Sequence, residues 1–223
     1  MRKMTAPVLL CILSACACTN ETDWQTENAR TVLTVEVPDQ TKTVLGNAED
    51  GFRSVLWCRG DQISVNGIAS EALDIESNAV SADFAFNAEV SAPYSIIYPS
   101  SMAKNATTVT LPYSQKAVKG DNIASGSLPM AGFSTTENVR MGQLCGILGV
   151  QLKAGSDTDR IRYIEVSSTG GEQLSGDFNV DFQECSLTPA GNAGSTIRME
   201  VQDELSRDTV RVFNIILPAG TYS

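Results

Sequence analysis

Histidine is absent from the 223 residues. Its absence removes the usual base of Ser–His and Cys–His nucleophile pairs and the commonest metal ligand. Cysteine is scarce outside the N-terminus: Cys11, Cys16 and Cys18 fall at the start, leaving Cys58, Cys145 and Cys185 for the body. Three thiols with no CxxC spacing form neither a disulfide framework nor a metal knuckle. Cys58 and Cys145 stand among apolar neighbours and read as buried free thiols. No metal and no cofactor are expected. No run approaches the roughly 20 apolar residues of a spanning helix. Basic blocks are also missing, with 16 Lys and Arg against 26 Asp and Glu. Such an acidic chain repels phosphate backbones, so nucleic-acid binding is not expected. Carboxylates are numerous, but no pattern places two of them in one cleft, so catalysis is not expected either.

What is present suits strands and turns: charged residues are sparse at 19%, while Thr, Ser, Gly and Val are plentiful. In Arg30–Val37, Leu33, Val35 and Val37 alternate with Thr34 and Glu36, the period of a half-buried strand ended by Pro38. A Gly46-Asn47 turn follows, then a strand region from Val55 to Val65 with a Gly60-Asp61 turn, closed by Asn66-Gly67, which favours a primed hairpin turn. Phe84–Phe86, Tyr94–Pro99 and Thr108–Pro112 are further short strands. Residues 113–142 read as loop-rich, with a domain boundary near Gly142.

Beyond it, the apolar run Leu144–Leu152 predicts a strand buried on both faces. Ile161–Val166, Phe178–Phe182, Ile197–Val201 and Val210–Leu217 follow at intervals typical of β-sandwiches. Trp57 and the tyrosines read as core. Asp177-x-Asn179-x-Asp181 resembles the opening of a calcium loop. However, Phe182 and Thr188 stand where that loop needs Gly and Glu. Phe178, Val180 and Phe182 instead share a strand face, which leaves the three polar residues in solvent. The fold class is therefore all-β: two antiparallel β-sandwich domains over 30–142 and 143–223, the second expected to be incomplete at its C-terminus.

The N-terminus has the build of an export signal over residues 1–15: Arg2 and Lys3, a short apolar run to Leu13, then small residues. Leu13-Ser14-Ala15-Cys16 resembles the bacterial lipoprotein box, in which the cysteine is acylated and becomes the first mature residue. Removing the signal leaves 14 basic against 26 acidic side chains, a net charge of −12. Residues 16–29 are polar, acidic and aperiodic, and read as a flexible tether. Asp208-Thr209-Val210 matches a pattern O-glycosylated in exported proteins of the Bacteroides type, which makes Thr209 a candidate acceptor.

Several stretches in order resemble the fimbrillin-like pilus-subunit lipoproteins of the Bacteroidetes. Val55–Val65 (VLWCRGDQISV) resembles their "W…GD.I.V" strand pair and Tyr94–Pro99 their "Y.AIYP" strand. Val109-Thr-Leu-Pro112 with Gln115 is similar to "ITLP..Q", and Leu128-Pro-Met-Ala131 to "PM.A". Leu144–Leu152 resembles the "CA.L.F.L" strand, with Leu174-Ser-Gly176 and Leu217–Tyr222 completing the series. The resemblance implies two transthyretin-like β-sandwiches and no enzymatic activity. It also implies export as a lipoprotein acylated at Cys16, proteolytic cleavage after Arg30 that removes the lipid and opens a groove, and assembly by strand addition.

The partners implied are other pilus subunits, the outer membrane through the lipid, and host or bacterial surface ligands. The location implied is the cell outer membrane and the fimbrium. Family stalk subunits carry further C-terminal strands that do not follow here, which sets self-polymerisation apart from the other expectations. The other readings are a lipid-anchored glycan- or host-ligand-binding lipoprotein and a lipid-retaining anchor or tip subunit. Exposed aromatics clustered on one face would favour the glycan reading, because sugar rings stack on them.

Overall fold

The computed structural model describes residues 30–37, 56–118 and 123–223. The signal segment 1–15, the lipidation site Cys16, the tether 16–29 and the Gly46-Asn47 turn lie outside the described residues. The chain is all-β, in several antiparallel sheets. Among the described residues the helical structure is one 3-10 turn, Ser100–Met102, and no helix is long and apolar enough to cross a membrane.

Strands are numbered along the chain. β1 (Val32–Glu36) is the centre of a three-stranded sheet, antiparallel to β4 (Ser81–Ala85) and parallel to β9 (Asn138–Arg140). A five-stranded antiparallel sheet packs against the same core. Its order is β10 (Gly142–Gln143), β8 (Met130–Ser134), β5 (Tyr94–Tyr98), β2 (Ser64–Val65) and β3 (Ile68–Ala69). The expected alternation of β1 is present, with Leu33 and Val35 fully buried. Trp57 fills the centre of this core edge-on to Phe84 and Tyr98, at 5.0 and 5.1 Å between ring centroids. Its indole N–H donates to the Val35 carbonyl at 2.8 Å, so the one polar atom of the ring is satisfied in an apolar site. The β2–β3 turn has positive φ at both Asn66 and Gly67, the primed hairpin geometry their types favour.

Strand pairing runs across residue 142. β6 (Thr108–Leu111) is the edge of a sheet completed by β13 (Ser175–Asp181) and β14 (Ser186–Gly194). β7 (Ser114–Lys116) runs parallel to β15 (Thr196–Ser206), which pairs on its other side with β12 (Thr158–Ser167). β11 (Cys145–Leu152) and β16 (Arg211–Pro218) form a two-stranded antiparallel ribbon. The apolar clusters form layers. Tyr94, Ile96 and Tyr98 of β5 face the first core, while Ile97 joins Val109, Leu111, Phe178 and Ile216 in a second. Phe213, Ile215 and Leu217 of β16 face a third, with Ile197, Met199 and Val201 of β15. β5 and β16, like β8 with Met130 and Ala131, thus carry apolar side chains into two layers at once.

Three sequence expectations are corrected. β11 is not buried on both faces: Cys145 is buried, but Ile147 and Leu148, on opposite faces of the strand, are 37% and 39% exposed. An apolar run reports the composition of a strand, not whether a sheet lies over it, and among the described residues β11 pairs with β16 alone. Residues 113–142 are loop-rich as expected, although the short strands β7, β8 and β9 and the start of β10 lie there, each too short for a periodic signal. Asp177 is not in solvent. It is 6% exposed and accepts hydrogen bonds from Thr110 at 2.6 Å and Lys104 at 2.5 Å. Finally, Tyr94 and Tyr98 are core, as is Trp57, but Tyr113 and Tyr163 are not, at 46% and 51% exposed.

Candidate functional site

Each expected site residue that is described takes a definite place. Arg30 lies two residues before β1, its guanidinium exposed and ion-paired with Glu71. Thr31 is already bound into the fold, accepting from the Phe86 N–H at 3.0 Å through its carbonyl and from the Val90 N–H at 3.1 Å through its hydroxyl. The bond after Arg30 therefore sits at the margin of the ordered sheet. Thr209 is exposed in the turn joining β15 to β16. Cys58 and Cys185 are half-buried, Cys145 is buried, and all three are free thiols. Burial is the first cause of a raised pKa at each, reinforced by Asp61 at Cys58 and by Asp181 and Glu184 at Cys185. None has the electropositive surroundings that make a reactive thiolate. Among the described residues no group of three His, Cys, Asp or Glu is arranged to hold a metal ion.

The feature that organises the molecule's surface lies along β16. In an antiparallel ribbon, ladder bonds fall on alternate residues. Ala219, just past β16, donates to the Leu144 carbonyl, whereas Ile216 is bonded on the opposite side. The N–H and C=O groups of Val212 and Ile216 thus face away from β11, toward a side where no described strand pairs with β16. At Ile216 a side chain takes the place of a strand. The Gln115 carboxamide donates to the Ile216 carbonyl at 2.7 Å and accepts from the Ile216 N–H at 2.9 Å. A primary amide is the one side chain that reproduces both bonds of a peptide neighbour. β7 places it there: Gln115 points inward from a strand whose flanking Ser114 and Lys116 are exposed.

A cavity of about 290 Å³ opens beside this edge. Its wall is mostly apolar, with Met102, Leu111, Val118, Ile123, Phe213 and Ile216 prominent. Leu111 belongs to β6, itself the edge strand of its sheet, so the cavity is bounded by the edges of two separate sheets. Among the described lining residues Lys116 is the one ionisable side chain. A wall of this kind supplies apolar burial and peptide-like hydrogen bonds, not acid–base chemistry.

Two features were missed at the sequence level. Gln115 was visible only as a letter in a family-like pattern, since nothing local announces a contact 101 residues away. Tyr113, Tyr163 and Arg198 were not grouped, because the parallel pairing of β7 with β15 that brings them together has no local signal. No protein-family model matches the chain, and neither a curated protein nor a solved structure matches it significantly.

Proposed function

We propose that the protein is a structural subunit of a cell-surface fimbria, exported as a lipoprotein through Cys16 and assembled by accepting a strand from another subunit. The observation that carries this reading is the edge of β16, where an apolar cavity adjoins outward-facing peptide groups and Gln115 stands in for a strand at Ile216. An added strand would hydrogen-bond to that edge and press alternate side chains into the cavity, the combination that gives β-augmentation both affinity and specificity. Cleavage after Arg30 has a narrower role than removing a strand. β1 begins at Val32 and its Leu33 and Val35 are fully buried, so the cut releases the lipid-bearing leader and leaves the first sandwich in place. The protein acts by assembly and adhesion rather than catalysis.

Val212→Pro tests the reading. The Val212 N–H faces away from β11, and proline is tolerated where an edge strand's N–H has no ladder partner. The variant is expected to fold, by circular dichroism, and to be lost from fibres sheared from cells. Val212→Pro incorporated into fibres at the parent level would refute strand addition at β16.

A further inference from the structure

The outer face of the β12–β15–β7 sheet carries a second constellation. Ile164, Val166, Ile197 and Met199 face the core, so their neighbours Tyr163, Glu165 and Arg198 share the opposite face with Ser114. The Arg198 guanidinium lies over the Tyr163 ring at 4.2 Å from its centroid and 6.0 Å from that of Tyr113. Glu165 fixes it: its carboxylate accepts from Arg198 at 3.0 Å and from the Tyr113 hydroxyl at 3.4 Å. Two half-exposed aromatic rings thus flank one Arg–Glu pair, and that pair is itself solvent-accessible, with side chains 35% and 41% exposed.

We infer that this face is a binding platform for neutral oligosaccharides, with Tyr113 and Tyr163 stacking on sugar rings and the Arg198–Glu165 pair hydrogen-bonding to sugar hydroxyls. Tyrosine offers rigid amphipathic area at low entropic cost, and a few fixed polar groups orient a ligand. Guanidinium and carboxylate together present donors and acceptors, matching hydroxyls that are both. Charge decides against an anionic ligand: Arg198 is already neutralised by Glu165, and the chain carries 26 acidic against 16 basic side chains. Tyr113, Tyr163, Glu165 and Arg198 do not line the cavity beside β16, and the platform stands independently of strand addition.

The test is titration of the whole exported chain with chitohexaose, cellohexaose, xylohexaose and mannohexaose, followed by saturation-transfer NMR. At least one is expected to bind. Tyr113→Ala and Tyr163→Ala are each expected to weaken it about tenfold, roughly the loss of one stacking contact, while Tyr163→Phe keeps the ring and the binding. Circular dichroism establishes that these surface variants fold. Failure of all four sugars to bind, binding indifferent to both alanine substitutions, or binding confined to sulfated or uronic-acid oligomers would overturn the inference.

Discussion

Asp61 is a carboxylate held where its type is rarely found, in the protein interior. It is 6% exposed at the turn the Gly60-Asp61 pair predicts, accepting from the Cys58 N–H and the Tyr98 hydroxyl, each at 2.8 Å. Burial raises its pKa, and those two hydrogen bonds offset only part of the rise. A carboxyl that holds its proton more tightly when folded contributes stability that is fully present below the ordinary value of about 3.9 and is lost as pH rises through the folded value. Asp61→Asn removes this titration. Its stability relative to the parent, from urea midpoints, is expected to improve between about pH 4 and about pH 7. A relative stability that falls over that range would show the hydrogen bonds to outweigh burial. Asp177 is the opposite case: hydrogen bonds from Lys104 first and Thr110 second hold its carboxyl below the usual range. Both residues were legible as polar positions in strands and turns. Their burial was not, because it depends on Tyr98, Lys104 and Thr110, which are tens of residues away.

At the scale of elements, alternation worked where one face met a core and the other met water. β1 and β15 show it, with Leu33 and Val35 or Ile197, Met199 and Val201 buried in turn. It failed for β11, whose apolar run belongs to an exposed edge, and for β7 to β10, whose two to five residues are below the length at which a period shows. The edge assignment has a measurable consequence. Leu148→Lys should change stability by no more than about 0.5 kcal/mol and reduce self-association in light scattering, because charge protects an exposed strand. Ile97→Ala, at a 1% exposed position on β5, should cost about 2–5 kcal/mol. A large loss on Leu148→Lys would place a covering element over β11.

For the whole molecule, the described layers are built from strands that begin at Val32 or later, so none of those strands leaves when the chain is cut after Arg30. Among the described residues, the cut takes away the surface ion pair between Arg30 and Glu71, worth about 0–1 kcal/mol. A chain beginning at Thr31 should therefore unfold within about 1 kcal/mol of one that retains Arg30. Mass spectrometry of the assembled protein should find Thr31, rather than acylated Cys16, as its first residue. Layering also explains why the groove was not legible in the sequence. It lies between β16 and β6, more than a hundred residues apart, and only the pairing of β6 and β7 with the later strands brings the two edges to one cavity.

The most direct test of strand acceptance is amide hydrogen exchange over Arg211–Pro218 in the isolated subunit and in fibres. An incoming strand bonded to β16 should slow exchange of the Val212 amide in fibres relative to the free chain. Equal exchange in both states would contradict assembly through this edge.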